Sequence, residues 1–270
     1  MIKKIKGLID IHINGQLYAL NKKIKNNYDI IYSEIIDDEY WNFAYIKNNE
    51  INIKAEIKNI IDDMTELKRT PLIYITSNIS NENIENQIKE CNLKNLYTDV
   101  WMIVENVEQF DTYKSKIDFT VSEVNKNLQE QFIQTVMEGF SGDNPEDPYG
   151  ELSDGYRIAL RRTFEYDSDY KIIHYLGIHN DEAISTATAV CKEDKAIIYN
   201  VTTKKKYQKQ GVCKQTMSEV IKNLNNLGIK TVCIQTEEGY YTERAYKSMG
   251  FKEIMKGRAY IIADGGVILK

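Results

Sequence analysis

Apolar and polar positions alternate along this chain with two different periods. Between residues 53 and 64 the side chains Ile53, Ile57, Ile60, Ile61 and Met64 recur at three and four, the spacing of one face of a helix. Residues 81–91 repeat it through Ile84 and Ile88. Around these helices lie short bulky runs, 41–46, 71–76 and 97–104, which read as strands. A polar join at 105–116 lacks strand periodicity and reads as a linker or connecting turn. The alternation then resumes. Residues 118–124 predict a strand, and 125–140 a helix through Leu128, Phe132, Val136 and Met137. The stretch 141–148, with Pro145 and Pro148, breaks that helix. A further helix carries Tyr156, Ile158, Ala159, Leu160 and Phe164. Three strands follow at 172–178, 183–191 and 196–202, with hairpin-like turns between them. From Gly211 a helix runs to Leu227, and Gly228 stands where a C-terminal cap belongs. Residues 231–235 read as a buried strand, 242–249 as a short helix stopped by Gly250, and 251–262 as a strand pair. The chain is therefore α/β, with an N-terminal α/β domain over 1–115 and a second domain over 118–270.

Composition narrows this picture. The 270 residues are 42% hydrophobic and 28% charged, enough to bury a core without disulfides or metals. The net charge is −5, and the densest basic clusters, 22–25 and 204–206, sit among acidic neighbours. That argues against nucleic acid as the main partner, which calls for a basic stripe. None of the four cysteines pairs with another at CxxC spacing, and only three histidines occur, so no zinc site of ordinary spacing is encoded. Reduced thiols in a cytoplasmic protein are the plain expectation. The basic N-terminus lacks the apolar run of a secretory signal. No stretch approaches the ~20 apolar residues of a membrane span.

The informative place is the junction at 199–217. A buried strand ends in Val201-Thr202-Thr203, a polar turn follows, and Gln208-Lys209-Gln210-Gly211-Val212-Cys213 opens an amphipathic helix. Free backbone N–H groups and the helix dipole at such a place favour a phosphate. Gly211 lets backbone approach a ligand closely, because no Cβ intervenes. Taken alone, the segment reads first as an ordinary turn before a helix.

Gln208-x-x-Gly211-x-Cys213 resembles the Q/R-x-x-G-x-G/A signature of the Gcn5-related N-acetyltransferases, the GNAT superfamily. Tyr246-Lys247-Ser248-Met249-Gly250-Phe251 resembles the Y-x-x-x-G-F ending of that family's last helix, with Arg244-Ala245 before it. The element order over residues 118–262 is similar too. The resemblance implies a mixed, mostly antiparallel sheet flanked by helices. It implies acetyl-CoA as co-substrate, no metal, and direct transfer of the acetyl group to a primary amine on a small molecule or peptide. Other readings keep the fold but use a longer acyl donor, or bind CoA for regulation without transfer.

Placed residue by residue, the resemblance assigns Val201, Thr202 and Thr203 to the pantetheine arm and acyl carbonyl. It assigns Gln208, Lys209, Gln210, Gly211, Val212, Cys213 and Lys214 to the pyrophosphate. Tyr246 becomes the acid that protonates the departing thiolate, a role that suits a weak phenolic acid; its other reading is a core aromatic. Cys213 departs from the usual Gly or Ala. As a small thiol at a helix start it reads as packing rather than as a nucleophile. Glu138, Glu237 and Glu238 are candidate bases or simply solvated charges. The loop carrying Asp143, Glu146, Asp147, Glu151 and Asp154 is either a negative wall that attracts a cationic amine or a solvated acidic loop. The N-terminal domain repeats the strand–helix order, but 47–50 carries no Q-x-x-G. It is either a degenerate GNAT-like half without a cradle or an unrelated α/β domain. As a GNAT-like half it would make an internal pseudo-dimer; a homodimer is the other expected assembly.

Overall fold

The computed structural model describes residues 2–140 and 151–262. In chain order its elements are α1 (Ile2–Asn14), β1 (Asn21–Ile24), β2 (Tyr28–Tyr32), β3 (Phe43–Ile46), α2 (Ile53–Glu66), β4 (Leu72–Thr76), α3 (Glu82–Glu90), β5 (Lys94–Val104), β6 (Thr120–Glu123), α4 (Gln129–Gly139), α5 (Asp154–Thr163), β7 (Lys171–His179), β8 (Glu182–Lys192), β9 (Lys195–Thr203), α6 (Val212–Asn226), β10 (Thr231–Glu237), α7 (Tyr241–Ser248) and β11 (Lys252–Ile261). Both regions are mixed α/β, with mostly antiparallel strand pairing flanked by helices.

Compactness does not follow the single cut near residues 115–118 that the sequence suggests. One unit gathers the chain up to Tyr18, Met102–Gln235 and Tyr240–Lys252; the other gathers Ala19–Trp101, Thr236–Gly239 and the chain from Glu253 onward. Packing explains the first transfer. In α1, Leu8 and Ile11 are fully buried. The Cβ positions of Gly7 and Gly15 fall 3.1 Å from the Lys195 stem and 2.8 Å from Val190, so the helix lies close on β8 and β9.

In the first unit the strand order is β10-β9-β8-β7-β6. β10 and β9 are parallel, joined through α6, and the remaining pairs are antiparallel. Register sorts the helices between two faces. Thr186, Thr188 and Val190 alternate on one face, where Val190 meets α1 and Thr202, the partner of Thr186, meets Gly139 of α4. Ser185 lies on the other face and hydrogen-bonds Thr216 of α6 at 2.8 Å. A cluster of Phe132, Ile133, Val136, Leu160, Leu176 and Ala183 fixes α4 and α5 to the sheet.

The segment 105–116 is not a free linker. After a short 3-10 turn at Val107–Gln109 it runs against the start of α6. Lys116 N–H donates to the Gln210 carbonyl at 2.8 Å, and Ser115 N–H to Gln215 Oε1 at 2.8 Å. The tyrosine hydroxyl of Tyr113 donates to the Ser248 carbonyl at 3.3 Å.

The second unit has the order β1-β2-β3-β4-β11-β5. β3 and β4 are parallel, joined through α2. β11 pairs antiparallel with β4 from Gly257↔Thr76 to Ile261↔Leu72. The expected strand pair at 251–262 is instead this one strand. Gly257 does not turn the chain; a Cβ there would meet the Tyr74 hydroxyl at 1.8 Å. Ile30, Ala44, Ile46, Ile60, Met64 and Ile73 are fully buried in this unit's core.

Candidate functional site

The pairing of β9 with β10 ends at Ile198↔Ile234, although both strands continue. The cause is visible one strand away. Thr188 pairs with Tyr199 and Thr186 with Thr202, so β9 spends three residues where β8 spends two. This is a β-bulge, and Asn200 takes it up with φ of 52°. Asparagine tolerates the left-handed region better than most residues. Its carbonyl accepts from Thr186 Oγ1 at 2.7 Å, and its Nδ2 donates to Thr188 Oγ1 at 3.0 Å.

Beyond the bulge come Val201, Thr202 and Thr203. Thr202 is fixed from below, because a Cβ on Gly139 would fall 1.7 Å from its Oγ1. Thr203 Oγ1 is buried with no hydrogen-bond partner among the described residues, and so is Gln235 Nε2 on β10. Both lie past Ile198 and Ile234, the last residues that β9 and β10 pair with each other. Orphaned buried polar atoms are rare enough to call for a missing partner.

The turn after β9 is pinned by its own side chains. Gln208 Nε2 donates to the Thr203 carbonyl at 3.1 Å and Gln210 Nε2 to the Lys206 carbonyl at 3.0 Å. Lys204 pairs with Glu138 at 2.8 Å, and Lys206 with Glu182 at 2.7 Å. Lys209 has φ of 58° and Gly211 φ of 86°. Both are left-handed backbone positions, a conformation from which anion-binding nests are built. Gly211 is the N-cap of α6 and supplies no side-chain cap, so the first amides of that helix are left open. Lys209 makes no ion pair among the described residues. Lys214 holds its ammonium 5.1 Å from the Tyr113 ring centre.

Gly211 turns out to be needed for the protein's own packing. A Cβ there would sit 3.2 Å from Ser115 Cα, on a backbone that L side chains seldom adopt. Gly211→Ala is expected to lower stability by ~1–2 kcal/mol, read as a shift in the denaturant midpoint; an unchanged midpoint would refute this account of the glycine. Cys213 is half-buried, and burial pushes its thiol up to about 11 despite the neighbouring Lys214. It is therefore a protonated, inert thiol near neutral pH.

Tyr246 lies on α7 with 6% of its surface exposed and its ring 5.9 Å from that of Phe251. Of the three carboxylates offered as bases, Glu138 is held below the usual range by its hydrogen bond to Lys204, and Glu238 pairs with Lys256 at 2.5 Å. Glu237 differs: burial pushes it up, and the Tyr40 hydroxyl donates to it at 2.9 Å. In the same unit Asp99 accepts from the Tyr74 hydroxyl at 2.9 Å, and burial, with help from the Glu237 charge, raises it to about 7. Asp143, Glu146 and Asp147 lie outside the described residues; Glu151 and Asp154 are exposed.

The second unit offers a direct contrast. Its matching parallel pair, β3 and β4, also feeds a crossover helix, but Asn52 caps α2 by accepting from Ala55 N–H through its side chain. That helix start is already satisfied. No group of three or more metal-ligating residues occurs among the described residues. No described helix is long and apolar enough to cross a membrane.

Parallel strands thus part beside an uncapped helix within a mostly antiparallel sheet. Residues 156–260 match the acetyltransferase (GNAT) domain family. The structure is similar to a GCN5-related N-acetyltransferase from Kribbella flavida, with a TM-score of 0.69 at 10% identity, covering 97% of this chain and 96% of that one. It is similar to a GCN5-related N-acetyltransferase from Sphaerobacter thermophilus, with a TM-score of 0.64 at 12% identity over 90% and 83% of the two chains. A tandem GNAT protein from the clavulanic acid biosynthesis pathway aligns with a TM-score of 0.59 at 6% identity over 88% and 79%. No curated protein matches the sequence. The chain thus has the fold of the GCN5-related N-acetyltransferases, and residues 156–260 match the GNAT domain model.

The sequence missed four contributors to this site: Ser115, Gly139, Asn200 and Gln235. Only Asn200 carried a signal, an asparagine in the middle of an otherwise apolar and β-branched strand.

Proposed function

We propose that this protein transfers an acetyl group from acetyl-CoA to a primary amine on a small molecule or peptide. The observation that carries the reading is the uncapped start of α6 at Gly211, next to a strand end that has left its neighbour. Its open amides suit a pyrophosphate, helped by Lys209 and Lys214. The backbone of Val201, Thr202 and Thr203, with the orphaned Thr203 Oγ1 and Gln235 Nε2, suits the amide-rich pantetheine arm. Gln208 acts in this reading as a tether, since its amide already holds the Thr203 carbonyl.

The amine nitrogen attacks the thioester carbonyl carbon, and collapse of the adduct breaks the C–S bond. One proton leaves the nitrogen and one reaches the CoA sulfur, so the step balances without an added reagent. Tyr246 supplies the second proton. The first proton passes to solvent water. Most of the remaining acceleration comes from holding donor and amine together. The four free thiols suit a reducing, cytoplasmic setting.

The test is thiol release from acetyl-CoA by the full chain with a polyamine, an amino acid and a lysine peptide, alongside calorimetry with CoA. Amine-dependent release is the expected result. CoA binding without release on any amine favours a CoA-binding regulator, and no binding of CoA at millimolar concentration sinks both readings.

A further inference from the structure

The bulge at Asn200 is held by a line of buried groups that no step of the chemistry uses. The Thr163 hydroxyl donates to the Leu160 carbonyl at 2.6 Å. Its oxygen can then accept from His174 Nε2–H, at 2.7 Å. With that proton on Nε2, His174 Nδ1 is an acceptor, and the Thr188 hydroxyl lies 2.9 Å from it. The Thr188 oxygen in turn accepts from Asn200 Nδ2 at 3.0 Å. Every donor finds one acceptor, and only the neutral Nε2–H tautomer closes the line. His174 is clamped between Phe132 and Phe164, with ring centres at 4.6 and 4.4 Å, and is 5% exposed. Burial pushes it down to about 3, so the neutral form prevails in ordinary buffers.

We infer that Thr188, oriented by His174, is a positioning residue for the donor strand: together they hold Asn200 in the bulge that sets Val201, Thr202 and Thr203. The inference rests on the donor-binding reading above for its consequence, but not for its geometry. A strand that slips by one residue sends every later side chain to the opposite face. Without the bulge, Thr203 would turn toward Gly139 and Thr202 toward α6. The neighbouring Tyr199 is held separately, its hydroxyl 3.1 Å from His12 Nδ1 on α1, so the strand before the bulge stays fixed while the strand after it moves.

Thr188→Val keeps the shape of the side chain and removes both hydrogen bonds; Thr188→Ser keeps the hydroxyl. A crystal structure of the Thr188→Val chain is expected to show Asn200 at negative φ and a continuous β8–β9 ladder. Its CoA affinity, measured by calorimetry, is expected to fall about tenfold, or ~1.4 kcal/mol. Thr188→Ser restores both. On an Asn200→Gly background, Thr188→Val causes no further loss, because glycine takes positive φ without help. A Thr188→Val chain that keeps the bulge overturns the proposal, as does one that loses the bulge with CoA affinity unchanged. A loss of thermal stability alone is the signature of a merely structural role and counts against it. Should the unmodified chain bind no CoA, the proposed function fails, and Asn200 φ in Thr188→Val alone decides the brace.

Discussion

Tyr246→Phe is expected to lower turnover by about 10²-fold, the lower end of what a positioned proton donor contributes, while CoA affinity changes little. That loss corresponds to ~2.7 kcal/mol of transition-state stabilisation. The variant is informative because it keeps the ring. The contact with Phe251 survives, so packing of α7 is conserved and only the hydroxyl is lost. Turnover is measured by thiol release at saturating amine, and affinity by calorimetry with CoA. A lowered melting temperature with full turnover would make Tyr246 a core aromatic and remove it from the mechanism.

Gly139→Ala is expected to destabilise the chain by ~1–3 kcal/mol, the usual cost of forcing atoms into a filled space, and to weaken CoA binding. Helix propensity alone predicts the reverse, a gain of ~0.5–1 kcal/mol for replacing glycine in a helix. The geometry decides between them. The new Cβ would lie 1.7 Å from Thr202 Oγ1 and 2.6 Å from Thr202 Cβ, so α4 or the end of β9 must move. Denaturant unfolding of Gly139→Ala, Thr202→Gly and the double variant measures the coupling. The double variant should recover part of the loss. A stabilised Gly139→Ala would show that the helix and strand can separate freely.

Where one period ruled a segment, the sequence was easy to read. Ile53, Ile57, Ile60 and Met64 declared α2, and the three central strands of the first unit lie within a residue or so of their expected ends. α1 escaped because its signals conflict. Ile2, Ile5 and Leu8 follow a helical spacing, but Ile9, Ile11 and Ile13 alternate with Asp10, His12 and Asn14 as a strand would. The structure resolves the conflict by giving those polar residues partners: Asp10 takes the Tyr170 hydroxyl and Lys192, and His12 meets Tyr199. The hairpin of β1 and β2 was hidden in what looked like a basic cluster. The loop at 208–213 stood out because it lies in one stretch of sequence. Its surroundings did not, since Ser115 packs on Gly211 and Gly139 on Thr202 from distant parts of the chain and nothing local marks them. The two glycines show the same limit. Sequence marked Gly211 as a place where backbone can approach a ligand, and its packing on Ser115 carried no local signal.

The place of β11 in the second unit sets an order of events during synthesis. It lies between β4 and β5, yet the ribosome makes it after the whole of the first unit's sheet. Until then β4 and β5 emerge with open edges that invite pairing with other chains. The contacts that close this unit join residues far apart in sequence, which makes them slow to form. A cell producing this protein therefore carries each nascent chain through a long interval in which half of it is sticky and unfinished, and chaperone demand should track the time taken to translate residues 102–251.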